Sequence, residues 1–224
     1  MSFKCEYCKK VFKKESTIAV HMCEQKRRYM NKDEKETQLA YRIYQLFYKV
    51  GTNSKKAKTF DDFAKSQYYN AFIKFAGYCI EINIDSVEEY ARYLIRNQIK
   101  IDRWASDSTL NKYIKQRLKD ETADRAVERT IMFMETWAEK NSTKYNNYFK
   151  EVNPNLAVFH ICSGKISPWV IYGTQNSESL LDRMNNEQIE LISAFIDPDY
   201  WNVRTKRKTA DFEWVRDILK KAKV

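Results

Sequence analysis

Apolar residues recur every three or four positions through most of this chain, the spacing of helices that bury one face. The pattern predicts a helix over 32–50, with Leu39, Ile43, Leu46, Phe47 and Val50 on one stripe. Asn31 reads as its N-cap, Asp33 and Glu34 suit its first turn, and Gly51 ends it. A polar stretch follows, Thr52 to Thr59, and is the expected boundary. Beyond it, Phe63, Tyr69, Phe72, Ile73, Phe75, Ala76 and Ile80 predict a strongly buried helix around 66–82. Asp85 reads as the cap of a helix reaching about Gln98, with Val87, Tyr90, Ala91, Leu94 and Ile95 inward. Ser106 or Asp107 caps the next, with Leu110, Tyr113, Ile114 and Leu118 inward. Thr122 caps another, with Ala126, Val127, Ile131, Met134 and Trp137 inward. The last third is less regular. A short helix is expected at Leu156–Ile161, a second starting at Pro168, and further caps at Asn186 and Asp197. Thr209 reads as the cap of a final helix carrying Phe212, Val215, Ile218 and Leu219.

The first thirty residues follow a different rule. Their apolar positions, Phe3, Phe12 and Ile18, are sparse and interleave with Cys5, Cys8 and His21. A C-x2-C turn delivers two sulfurs to one point, and twelve intervening residues suffice for a strand return and about two helical turns before the histidine. Phe3 lies two before the first cysteine, Phe12 four after the second and Ile18 three before His21. That spacing resembles the C2H2-type zinc finger, F-x-C-x2-C-x3-F-x5-L-x2-H, with Ile18 in the leucine position. The resemblance implies a ββα unit that binds Zn2+. It departs from the family at the fourth ligand, because Gln25, Lys26 and Arg27, with Glu24 one short of them, occupy the positions where the second histidine or cysteine falls. The nearest donor is Cys23, two residues after His21, and positions i and i+2 of a helix face away from each other. Cys23 reaches the metal only if the finger helix, expected over about Glu15–His21, ends near Met22. Otherwise three protein ligands remain, with water or a distant group such as His160 or Cys162 completing the site.

The expected architecture is therefore mainly α: a small ββα zinc finger over 1–30, a linking helix and loop over 31–58, and an all-α helical domain of seven to nine helices over 59–224. Only 4 Gly and 3 Pro in 224 residues agree with a helical chain. No apolar run approaches the ~18 residues of a membrane helix, and the basic N-terminus lacks an apolar core, so neither membrane insertion nor secretion is expected. An odd count of 5 cysteines argues against a disulfide framework.

Net charge is +10, and it is uneven. Residues 1–32 hold nine Lys/Arg against three Glu, a net of +6, leaving +4 for the other 192 residues. Such a concentration is the footprint of phosphate or of an acidic protein partner. With His21 at the seventh helical position of a finger, the base-reading positions fall on Lys14, Thr17 and Val20. Valine cannot hydrogen-bond a base, so sequence readout is expected to be weak. Lys9, Lys10, Lys13, Lys14, Lys26, Arg27 and Arg28 are the expected phosphate contacts. Arg204-Thr205-Lys206-Arg207-Lys208 is a second basic tract. The aromatics Tyr68, Tyr69, Trp104, Trp169, Tyr200 and Trp201 are candidates for an exposed patch.

Catalytic patterns are weak. His160 and Cys162 are near neighbours rather than partners from separate elements, and Ser163-Gly164-Lys165 lacks the flanking glycine and strand of a phosphate loop. No enzymatic activity is expected.

The segments HMCEQKRRYM, KFAGYCIEINIDSVEEYARYLIRNQIKIDRW and GKISPWVIY extend the resemblance to the whole chain, which looks like a zinc-finger protein family of T4-like bacteriophages. That resemblance implies action in the host cytoplasm, as a zinc-finger protein or in tail assembly. Two functions are carried forward: nucleic-acid contact through the basic finger, mostly by phosphates, and, as the alternative, a protein adaptor or assembly factor, for example in the tail baseplate, with the finger as its docking module.

Overall fold

The computed structural model describes residues 2–52 and 56–224. Three residues of the expected polar boundary, 53–55, lie outside the described residues. The chain is mainly α-helical, and its packing forms two units, Met1–Thr109 and Leu110–Val224. The division falls inside the stretch expected as one helical domain, 59–224.

The first unit begins with a two-residue hairpin. Strands β1 (Phe3–Lys4) and β2 (Val11–Phe12) run antiparallel, with Phe3 opposite Phe12. Helices α1 (Glu15–Ala19) and α2 (Glu24–Met30) follow. Helix α3 spans Lys35–Gly51, and its N-cap is Glu34. Asn31, expected there, instead closes α2 as its C-cap, its N–H donating to the carbonyls of Arg27 and Tyr29. Helix α4 (Phe60–Ala64) is separate from α5 (Tyr69–Glu81), where a single helix from about 66 was expected. A capping box explains the extra helix: the Thr59 hydroxyl accepts from the Asp62 N–H, and the Asp62 carboxylate accepts from the Thr59 N–H. Helix α6 (Val87–Arg96) is capped by Ser86, whose oxygen accepts from the Glu89 N–H, one residue beyond the expected Asp85.

Helix α3, expected as a linker, packs along α5 and α6 and supplies Ala40, Ile43, Tyr44 and Leu46 to their core. Trp104 closes this core, its ring 5.2 Å from Phe75 and 5.9 Å from both Phe72 and Phe47. Its indole N–H donates to the Ile99 carbonyl at 2.9 Å, so a wholly buried tryptophan keeps its polar group satisfied.

Helix α7 (Asp107–Asp120) leads into the second unit, followed by α8 (Ala123–Asn141), α9 (Tyr148–Glu151), α10 (Pro154–Cys162), α11 (Pro168–Gly173), α12 (Asn176–Leu181), α13 (Asn186–Ile196), α14 (Pro198–Arg207) and α15 (Thr209–Lys221). From Phe60 onward there are 12 α-helices among the described residues, more than the seven to nine expected. The excess is in helices of four to six residues, such as α4, α9, α11 and α12, too short to print a periodicity. Asn185, not Asn186, caps α13, and Lys208, not Thr209, precedes α15. Trp169, Trp201, Tyr148, Phe149, Val170 and Val215 lie in the core of this unit.

Candidate metal centre

Each ligand position has a local cause. The β1–β2 turn is tight because the Cys5 N–H donates to the Lys10 carbonyl at 2.9 Å and the Lys9 N–H returns to the Cys5 carbonyl at 3.0 Å. Lys9 takes a left-handed backbone, φ 61°, to close it. Helix α1 starts at Glu15, as the spacing predicts, but ends at Ala19, two residues short of the expected His21. The His21 N–H caps it by donating to the Ile18 carbonyl at 3.1 Å. Because the helix stops, His21 and Cys23 no longer follow helical directions. Cys23 lies on extended backbone and becomes the N-cap of α2, its sulfur accepting from the Lys26 N–H at 3.4 Å.

The four side chains converge. Cys5 Sγ is 4.0 Å from Cys23 Sγ, Cys8 Sγ is 3.3 Å from His21 Nε2, and all four ligand atoms lie within 4.8 Å of one another. A tetrahedral ion bound at about 2.3 Å to sulfur and about 2.0 Å to nitrogen separates its ligands by about 3.5–3.8 Å. The centre fits that frame and could hold a metal ion. His160 and Cys162, the distant alternatives, are engaged elsewhere. His160 Nδ1 is 2.8 Å from the Tyr148 hydroxyl, and the Cys162 sulfur faces the Leu191 carbonyl at 3.9 Å. They do not pair with each other, and burial pushes the Cys162 thiol up to about 11, away from a reactive thiolate.

The electrostatics of the centre favour a cation. The backbone N–H of Cys8 lowers the Cys5 thiol, with a further contribution from that of Tyr7. The Lys10 N–H acts to lower Cys8, but burial and the crowding sulfurs of Cys5 and Cys23 outweigh it and leave that thiol raised. Three sulfurs this close repel as thiolates unless a positive charge sits among them. The His21 ring lies 4.7 Å from Phe12, which with the half-buried Ile18 makes the small apolar floor.

The expected phosphate contacts divide. Lys9, Lys10, Lys13, Lys14, Thr17 and Arg27 are exposed. Lys26 is half-buried, and its ammonium is 3.5 Å from the His21 carbonyl. Arg28 is not on that surface. Its guanidinium donates to the carbonyls of Ala64 at 2.8 Å and Ser66 at 3.2 Å, lies 4.3 Å over the Tyr69 ring and pairs with Glu24. The end of α4 presents unpaired carbonyls at its negative pole, which is where an arginine is best placed.

The second basic tract divides in the same way. Arg204 lies 5.2 Å over Trp169 and 5.1 Å over Trp201, and donates to the Tyr200 hydroxyl at 2.7 Å. Lys208 pairs with Asp211 at 3.6 Å, so Lys206 and Arg207 are what the tract leaves exposed and without an ion pair among the described residues. Of the aromatics singled out for exposure, only Tyr68 is exposed, at 39%; Tyr69, Trp104, Trp169 and Trp201 are buried and Tyr200 half-buried. Ser163-Gly164-Lys165 is a turn, with Gly164 at φ 73° and its carbonyl accepting from Arg117 and Arg129.

Two residues of the finger's surroundings carry no motif. Tyr7, between the two cysteines of the turn, packs at a tilt 5.1 Å from Tyr29 of α2, and Tyr29 packs 5.5 Å from Phe60 while donating to Asp61. Burial and then the Asp61 carboxylate push the Tyr29 phenol up to about 12, so it stays protonated as that donor. An aromatic inside the C-x2-C turn is the one sequence signal that could have marked the pair.

No protein-family model, curated protein or solved structure matches the chain. No helix among the described residues is long and apolar enough to cross a membrane.

Proposed function

We propose that the chain is a non-enzymatic zinc protein whose finger grips nucleic acid through its phosphates. Three thiolates and one imidazole at tetrahedral spacing suit Zn2+, which takes closed sets of this kind in structural sites. The observation that carries the nucleic-acid reading is a group of exposed cations without a carboxylate partner among the described residues, of which Lys10 alone also lies over a ring, 5.7 Å from Phe12. Lys10, Lys13, Lys14 and Arg27 are exposed and make no ion pair among the described residues, whereas Lys9 spends its ammonium on the Glu6 carbonyl at 2.6 Å. Thr17 and the 81%-exposed Val20 flank them and offer little to a base edge, so affinity without sequence preference is expected.

Binding of the zinc-loaded protein to short duplex and single-stranded DNA and RNA over a salt series tests this. Four phosphate contacts give a slope of log K against log salt of about −3.6 on duplex and about −2.8 on single strands. Replacing Lys13 and Lys14 together by Ala should remove about half of it. Absence of binding at low salt, with metal retained, would sink the proposal.

A second reading rests on apolar exposure. Val20, Val11 at 58% and Met22 at 46% put three hydrophobic side chains on the finger beside its lysines. Phosphate contact has no use for them, and an acidic protein partner would. That supports an adaptor or assembly role of the kind the phage resemblance implies, in the host cytoplasm. Capture of one partner from nuclease-treated lysate, weakened by salt and lost in Val20→Ser, is its expected result.

A further inference from the structure

In a finger that folds as an independent bead, loss of the metal is felt only within the bead. Here the fourth ligand is also the first turn of something else. The Cys23 sulfur caps α2, so the group that completes the metal centre also starts that helix. Seven residues are too few for a helix to stand alone in water, and none of them is fully buried. What holds α2 is its two ends. Cys23 fixes one, and Arg28 and Tyr29 fix the other against α4 and Tyr69.

A second line runs in parallel. Tyr7 sits between the two cysteines of the turn, so whatever holds Cys5 and Cys8 together also holds Tyr7. Tyr7 packs at a tilt against Tyr29, Tyr29 edge-on against Phe60, and Phe60 lies 5.5 Å from Tyr41 and 5.9 Å from Phe63. Contacts of this kind reach without a gap from the ligand turn to Phe63, which is wholly buried in the first unit. In residues 2–23 only Cys5 is buried, so the finger has no core of its own with which to keep Tyr7 and Cys23 in place.

From these two lines we infer that metal occupancy of the Cys5–Cys8–His21–Cys23 centre controls the docking of α2 on α4 and α5, with Arg28 and Tyr29 as positioning residues. The inference rests on the metal reading of the centre. With metal bound, Cys23 and Tyr7 are fixed and α2 is held at both ends. Without it, Arg28 and Tyr29 must hold a frayed helix alone. Linkage makes the effect reciprocal: docking of α2 strengthens metal binding by the same factor as metal binding strengthens docking.

The test pairs a metal titration with hydrogen exchange on the full chain. Co2+ first reports occupancy through its thiolate absorption, and Zn2+ affinity is then read by competition with a chromophoric chelator. Tyr29→Ala and Arg28→Ala should each bind Zn2+ about tenfold more weakly than the native chain. Tyr29→Phe, which keeps the ring and loses only the bond to Asp61, should fall between, and it covers the case in which the alanine variants do not fold. In the native chain, EDTA should abolish amide protection over 24–31 and lower it over 60–66. Native Zn2+ affinity in all three variants, or unchanged protection of α2 after chelation, overturns the coupling while leaving the site and the nucleic-acid reading standing. Absence of the Co2+–thiolate band overturns the metal reading itself and this inference with it.

Discussion

Between residues 2 and 23 the only side chain sealed from solvent is that of Cys5, whereas between 110 and 224 Trp169, Trp201, Tyr148 and Phe149 are each 1% exposed or less. The two regions solve the same problem with different chemistry. A segment of some twenty residues cannot bury enough apolar surface to offset its chain entropy, and what it has in place of a core is a cluster of four side chains that could hold a metal ion. The second unit is long enough to close a core, and there polar groups serve the packing. Arg204 caps a tryptophan pair, and Ser167 and Thr130 sit buried with their hydrogen bonds made. One region should fail when an ion is withdrawn, the other when volume is.

That contrast can be broken most directly by crossing the two perturbations. Cys23→Ser, or chelation of the native protein, should remove the fixed structure of the finger, since metal binding contributes about 10–16 kcal/mol to units of this kind. It should leave the thermal transition of the second unit where it was. Trp201→Ala should do the reverse, costing about 3–5 kcal/mol of the second unit's stability while Zn2+ stoichiometry stays at one. Melting followed by amide exchange in each region reads both, and an equal response of both regions to either change would erase the distinction.

A pH series sharpens it. Burial, reinforced by the nearby Lys165 charge, pushes His160 down from 6.5 to about 4. A histidine depressed in the fold is protonated more readily when unfolded, so its contribution is complete above pH 6.5 and is lost as pH falls through about 4. The loss amounts to about 3 kcal/mol. Urea unfolding of the second unit should show that slope in the native chain, and His160→Gln should flatten it. An unchanged slope in the variant would assign the acid sensitivity to other groups.

The smallest effect separates residues that look alike on paper. Arg204→Ala should cost about 1–3 kcal/mol, because it strips a guanidinium from two tryptophan faces and the Tyr200 hydroxyl. Arg207→Ala, three residues on and exposed, should stay within about 0.5 kcal/mol. Equal costs would mean that the aromatic site around Arg204 contributes nothing to stability.

Three of the four residues of the candidate centre and the helical character of the chain were legible in the sequence. Ligand spacing in a turn and apolar spacing along a helix are local properties, set by bond geometry and the 3.6-residue repeat. So Cys5, Cys8 and His21, the start of α1 at Glu15 and the long stripe of α8 could all be read in order along the chain. The residue that completes the centre was legible only as a condition, that the finger helix stop early, and the exit through Val20 and His21 met it. Short helices escaped because four to six residues contain barely one repeat; their cause lies in caps such as Thr59 with Asp62.

What the tertiary structure alone decided is which charges are free. Lys26-Arg27-Arg28 reads as one basic run, yet a helix sends successive side chains about 100° apart. Arg27 goes to solvent, while Arg28 goes to carbonyls 36 and 38 residues away. Arg204 and Arg207, three residues apart on one helix, part as well: Arg204 meets the Trp169 and Trp201 rings, and Arg207 is exposed. Composition counts charges, but a partner chosen from a distant element decides which of them remain to meet anything else.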